Sequence, residues 1–124
     1  MDKSLYDNIL RYDKFVKMFD KIEECVNKND MKNAYYKTAA ILELVNAIIL
    51  LRKFKIKIEN TNIVTYIKYY SNLDQELYNQ MMNINTQYNI VDDDNPELDD
   101  IEYLLLKIDY IIKYVTQTYG EIFN

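Results

Sequence analysis

The stretch that decides the fold is residues 98–122, which read LDDIEYLLLKIDYIIKYVTQTYGEI. Its apolar residues alternate spacings of three and four: Leu98, Ile101, Leu105, Ile108, Ile112, Val115, Tyr119 and Ile122. In an α-helix this spacing puts all of these side chains on one face. The stretch therefore predicts one long amphipathic helix that packs against other helices.

Three further amphipathic helices are predicted upstream, over Ser4–Val26, Met31–Lys53 and Asn62–Tyr88. The first has Ser4 as its N-cap, and its apolar face is Ile9, Tyr12, Val16, Phe19, Ile22 and Val26. The third has one inward stripe: Ile63, Ile67, Tyr70, Leu73, Leu77, Met81, Ile84 and Tyr88. Four helices with short connections predict a single domain over residues 1–124, an all-α antiparallel four-helix bundle.

The connections carry their own signals. Asp30 is placed to cap the second helix, and Asn95 to cap the fourth, with Pro96 in its first turn after a loop at 89–94. The segment Arg52–Glu59 alternates basic and apolar residues. It fits either a short extended connection or the end of the second helix running into a loop. Its basic residues fit either a solvated loop or a patch for an acidic partner.

The second helix is apolar on two sides. One stripe is Ala34, Thr38, Ile41, Val45 and Ile48, and the other is Ala40, Leu44, Ala47 and Leu51. A helix that is apolar around most of its circumference must be covered around most of it. Either the rest of the bundle covers both stripes, or the second stripe lies in a groove that a partner fills.

Composition excludes several classes of function. The 124 residues include 15 basic and 20 acidic ones, and the net charge of -5 argues against nucleic-acid binding. There is no histidine, which removes the common general base and the ligands of a di-iron bundle. One glycine cannot build a phosphate-binding loop, and Cys25 has no imidazole to activate it. We therefore expect no enzymatic activity and no cofactor.

Metal binding and membrane insertion are not expected either. The acidic run from Asp92 to Glu102 lacks the glycine and the ligand spacing of a calcium loop, and acids are common at helix N-termini. The longest apolar run, Ala39–Leu51, is interrupted by Glu43 and Asn46 and is short for a membrane span. Charged residues among the first ten indicate no signal peptide, so a cytoplasmic location is expected.

Tyrosines mark the outer side of the last helix. If its heptad stripe points inward, Tyr103 and Tyr110 occupy the outermost position of successive heptads, and Tyr114 lies beside them. Tyrosine is enriched at protein interfaces. The row therefore predicts a contact surface, although a codon bias towards Asn, Lys, Ile and Tyr explains abundant tyrosine equally well.

Several segments resemble the flagellar export chaperones, a family that holds flagellin before secretion. In the first helix the matching elements are Arg11-Tyr12-Asp13 and the apolar-basic run at 15–19, in register with Asp30. In the third helix they are Leu77-Tyr78-Asn79 and the acidic turn at 88–93. The acidic, leucine-rich start of the last helix, residues 98–105, is the closest match.

This resemblance implies a chaperone without ATPase activity that binds the disordered C-terminal segment of flagellin or a similar amphipathic client. It would prevent premature polymerisation and deliver the client to the export gate. The surfaces expected to bind are the second stripe of helix 2 and the tyrosine row, namely Ala40, Leu44, Ala47, Leu51, Tyr103, Tyr110 and Tyr114. The alternatives are a catalytically inactive HEPN-like helical bundle, or a helical interaction module that dimerises.

Overall fold

The fold is built from helices alone. The computed structural model describes residues 1–124 and contains six α-helices and no strand, which confirms the all-α class. The helices are α1 (Asp7–Leu10), α2 (Asp13–Asn27), α3 (Met31–Ile48), α4 (Ile63–Leu73), α5 (Gln75–Ile90) and α6 (Leu98–Tyr119). A 3-10 turn at Lys3–Tyr6 precedes α1, and a π-helical turn at Ile49–Lys53 continues α3.

The heptad stripe of α6 lies in the core. Its five central members are fully buried: Ile101, Leu105, Ile108, Ile112 and Val115. Leu104 and Ile111 are buried beside them, so the inward face is wider than a single stripe. They belong to one cluster of 27 buried apolar residues to which every α-helix contributes. The π turn after α3 adds Ile49 and Leu50 to this cluster.

Both ends of α6 differ from the prediction. The N-cap is Glu97 rather than Asn95, because Glu97 and Asp100 form a reciprocal capping box, and Pro96 therefore precedes the helix. The helix ends at Tyr119, since Gly120 adopts a φ of 89° that stops it. Ile122 consequently lies beyond the helix and is not part of its stripe.

The first predicted helix is divided in two. Tyr12 has extended backbone angles (φ -114°, ψ 124°) and separates α1 from α2. The rings of Tyr12 and Phe15 both pack against Phe123, with centroids 5.8 and 5.9 Å away. Within α2, Phe15 is buried in place of Val16, and Val26 is only partly covered. The predicted cap is also wrong, because Asp2 rather than Ser4 caps the opening turn.

The third predicted helix is folded into a hairpin at Asp74. That residue has φ -160° and ψ 110°, and it separates α4 from α5. Ile63 and Tyr88 line the same cavity, whereas a straight helix would place them about 37 Å apart. Folding back changes the buried face, so that Tyr66 is buried while Leu73 is exposed.

The directions of the helices follow from contacts at their ends. Near the starts of α3 and α6, Lys32 pairs with Asp94 at 3.5 Å. Beyond their ends, Arg52 donates to the carbonyl oxygens of Ile122 and Asn124, each at 2.6 Å. Helices α3 and α6 therefore run in the same direction. Helices α2 and α5 run the opposite way, since both begin where α6 ends.

Helix α3 and its π turn span the predicted Met31–Lys53, and Asp30 caps them as expected. The first stripe is buried throughout: Ala34, Thr38, Ile41, Val45 and Ile48. By length and composition alone this helix is apolar enough to cross a membrane. A core helix has the same properties, and 56% of the most apolar 18-residue window is buried inside the protein.

The segment Arg52–Glu59 forms no strand. Its first two residues complete the π turn, and a non-helical connection follows in which Lys55 adopts a φ of 60°. Phe54, Ile56 and Ile58 pack against the core, whereas Lys55 and Lys57 are exposed. The alternation of apolar and basic residues therefore reflects a non-helical connection whose apolar side chains pack on the core.

Candidate partner-binding surface

An open groove runs between α5 and α6. It has a volume of about 540 Å³ and is lined by Gln80, Tyr103, Leu106, Lys107 and Tyr110. Leu106 is 45% exposed and Tyr110 is 43% exposed, which is high for large apolar side chains. We call this surface the α5–α6 groove.

The groove is left open because the inward face of α6 packs against other helices. Helix α6 packs closely on α3, and much less closely on α5. Its outer edge at Leu106 and Tyr110 is therefore left uncovered. The aromatic and aliphatic groups there are free to take up apolar side chains from a partner.

A polar network holds one side of the groove. Tyr110 donates its hydroxyl to Glu76 Oε1 at 3.1 Å, and Gln80 donates to the same oxygen at 2.8 Å. Lys107 donates to Gln80 Oε1 at 3.2 Å, and its ammonium lies 5.6 Å from the ring centre of Tyr103. The hydrogen bond to Glu76 raises the pKa of Tyr110, because the carboxylate stabilises the protonated phenol.

Tyr114, the third tyrosine of the predicted row, is committed to an internal contact. Its hydroxyl donates to Asp74 Oδ2 at 2.8 Å, and Tyr119 donates to the same carboxylate. Partial burial, followed by this hydrogen bond, raises the pKa of Tyr114 to about 12. Asp74 also accepts from the backbone N–H of Leu77 at 2.9 Å. Tyr114 therefore ties α6 to the hairpin turn.

The second stripe of α3 forms a separate surface. Ala40, Leu44 and Ala47 are half-buried, and Leu44 packs against the core. Only Leu51 is exposed. A cavity of about 240 Å³ at Ala40 is lined also by Met18, Lys21 and Lys37, and it shares no residue with the α5–α6 groove. The chain itself thus covers part of this stripe.

Sequence reasoning identified two of the five groove residues, Tyr103 and Tyr110, and missed Gln80, Leu106 and Lys107. A signal for one of them was present in the run Leu104-Leu105-Leu106. Two of these leucines are buried in the structure, and the third has no inward position left. The contribution of α5 depends on how the hairpin places it beside α6, which no local pattern encodes.

The acidic residues do not converge on a metal site. No group of three or more His, Cys, Asp or Glu side chains is placed to hold an ion. In the run from Asp92 to Glu102, Asp100 closes the capping box and Asp92 accepts from the backbone of Asp94 at 3.0 Å. These two carboxylates accept backbone hydrogen bonds, one in the turn before α6 and the other at the start of that helix.

Comparison with known proteins gives no match: no protein-family model, no curated protein and no solved structure is similar to this chain.

Proposed function

We propose that this chain is a non-enzymatic chaperone of the cytoplasm that binds an amphipathic, disordered client segment before export. The client class is the C-terminal segment of flagellin or a similar one, which the chaperone keeps from polymerising and delivers to the export gate. The observation that carries the proposal is the α5–α6 groove, where Leu106 and Tyr110 lie one helical turn apart and are each more than 40% exposed.

The groove has the properties that such a client requires. An amphipathic segment that folds on binding needs an apolar strip for one face and polar groups for the flanks. Leu106 and Tyr110 provide the strip, while Lys107, Gln80 and Glu76 provide hydrogen-bonding groups beside it. Ordering the segment costs free energy, so binding remains reversible and the client can be released.

We also propose that α2, α3, α5 and α6 form an antiparallel four-helix bundle, with α4 lying in the connection between α3 and α5. The alternating directions of these four helices support the arrangement. In such a bundle, an amphipathic client helix would lie in the groove between α5 and α6.

The test is calorimetric titration of the protein with the C-terminal segment of flagellin from the same organism, at several temperatures. We expect saturable binding with a negative heat-capacity change, because apolar surface is buried, and a gain of helicity by circular dichroism. The absence of heat at every temperature, up to high micromolar concentration, would exclude this client.

Variants locate the binding surface. We expect Tyr110→Asp to weaken binding about tenfold or more, since it places a charge in the apolar strip. Tyr36→Asp is the matched control, because Tyr36 is an exposed tyrosine on α3 that does not line the groove. Leu51→Asp tests the second stripe of α3 without disturbing the half-buried Leu44. Equal loss with Tyr36→Asp and Tyr110→Asp would show that the α5–α6 groove is not the client site.

A further inference from the structure

A cavity lies where α3 meets both arms of the α4–α5 hairpin, and we call it the hairpin cavity. It has a volume of about 260 Å³. Glu43 of α3 is exposed, whereas Tyr66 of α4 is only 1% exposed, so the cavity leads from the surface towards the core. Its apolar lining is Ala39, Leu42 and Ile63, and its polar lining includes Glu43, Tyr66 and Tyr88.

The hydroxyl of Tyr66 is buried at this cavity without a hydrogen-bond partner. Tyr70, four residues further along α4, is equally buried but donates its hydroxyl to Asn46 at 2.7 Å. Leaving a buried hydroxyl unpaired costs free energy, and buried polar groups are therefore usually paired with protein, water or a ligand. The chain pairs one of these two hydroxyls and leaves the other at the cavity.

The other polar groups of the cavity are also uncommitted. Glu43 forms no ion pair, since those of the protein are Lys3–Glu23, Arg11–Glu121 and Lys32–Asp94. Burial raises the pKa of the Tyr66 hydroxyl, and the negative charge of Glu43 adds to this effect. Burial is likewise the main cause of the raised pKa of Tyr88, to which Glu43 also contributes. The carboxylate thus lies close enough to influence both phenols.

The charge of the hairpin cavity favours a cation. Glu43 is the only charged residue among those that line it, and Asp93 adds negative charge near Tyr88. The side chain of Asn62, which also lines the cavity, caps α4 by accepting from the backbone N–H of Val64 at 2.9 Å. A carboxylate beside two phenol rings attracts an ammonium group through hydrogen bonds and the faces of the rings. It would repel an anion.

We propose that the hairpin cavity binds a small organic cation, a protonated primary amine that carries an apolar body. The ammonium donates to the carboxylate of Glu43 and to the hydroxyl oxygen of Tyr66, with Tyr88 beside it. The apolar body packs against Leu42 and Ile63. The cavity shares no residue with the α5–α6 groove, so this site does not rest on the proposed chaperone function.

The test is a nuclear magnetic resonance titration of the full chain with phenethylamine, an ammonium group on an apolar body. We expect saturable shifts of the amides around the hairpin cavity. Phenylethanol, which is similar in size but uncharged, should bind at least about tenfold more weakly, and phenylpropanoate should not bind. The blocked amino acid acetyl-lysine methylamide offers the same ammonium as a partner's lysine would. Tighter binding of this probe would assign the site to a protein lysine, and tighter binding of phenethylamine to a free amine.

Variants test the two polar groups separately. Tyr66→Phe removes only an unpaired hydroxyl, so the fold should be retained while phenethylamine binds at least about tenfold more weakly. Glu43→Gln should cause a similar or larger loss. The matched controls are Tyr36→Phe and Glu24→Gln, at an exposed tyrosine of α3 and an exposed acid of α2 that do not line the cavity, and both should bind as the parent does.

Three results would overturn the proposal. The first is the absence of saturable shifts with both amines up to millimolar concentration. The second is a Tyr66→Phe variant that is folded by circular dichroism and binds phenethylamine as tightly as the parent. The third is an equal loss with Glu43→Gln and Glu24→Gln, which would mean that the amine follows the negative charge of the whole protein and not the hairpin cavity.

Discussion

At the scale of single residues, two buried tyrosines of α4 differ in whether the hydroxyl group has a hydrogen-bond partner. Tyr70 donates its hydroxyl to Asn46 Oδ1 at 2.7 Å, and Asn46 donates in turn to the carbonyl of Leu42 at 3.1 Å. Tyr66 is equally buried, but its hydroxyl has no hydrogen-bond partner. The pair therefore separates the contribution of a satisfied buried hydroxyl from that of an unsatisfied one.

We expect Tyr70→Phe to lower the free energy of unfolding by about 1–3 kcal/mol, because it leaves the buried Asn46 oxygen unpaired. Tyr66→Phe should cause no loss, or a small gain, since it removes a polar group that was buried without a partner. Urea unfolding followed by circular dichroism measures both. Similar losses in the two variants would show that ring packing, and not the Asn46 contact, determines the effect.

At the scale of elements, periodicity located the helices but not their interruptions. The stripe of α6 and the first stripe of α3 were predictable because burial on one side repeats at the helical spacing. The breaks at Tyr12 and Asp74 contain no glycine or proline and depend on distant partners, Glu121 and Tyr119 respectively. Periodicity also found Tyr110 of the α5–α6 groove, because it lies opposite the buried stripe, but it could not find the side that α5 supplies.

Substitutions of Asp74 test the hairpin turn between α4 and α5. Asp74→Ala removes the N-cap of α5 together with the acceptor of Tyr114 and Tyr119, so we expect a loss of about 2–4 kcal/mol in unfolding free energy. Asp74→Asn retains a capping oxygen and should lose less. Asp30→Ala, which removes an exposed cap of α3, is the control and should have the smaller effect. Equal unfolding midpoints for Asp30→Ala and Asp74→Ala would mean that the tyrosine contacts add nothing.

At the scale of the whole molecule, tyrosine burial makes the fold sensitive to alkali. Burial, aided by neighbouring carboxylates, raises the pKa of Tyr6, Tyr12, Tyr35 and Tyr114 from 10.0 to about 12. The folded protein therefore binds more protons than the unfolded chain between these two values. Stability from these groups is fully present below pH 10 and is lost as the pH rises through about 12.

We accordingly expect the tyrosines to ionise late and together with the loss of helix when the pH is raised from 9 to about 12.5. Ultraviolet absorbance of tyrosinate and far-ultraviolet circular dichroism should change in the same interval. Tyr6→Phe should move the transition to higher pH, because the Tyr6 hydroxyl is buried without a partner and must leave the core to ionise. Tyr36→Phe, at an exposed position, should not move it. Complete ionisation near pH 10 with helicity intact would show that these hydroxyls reach solvent in the folded protein.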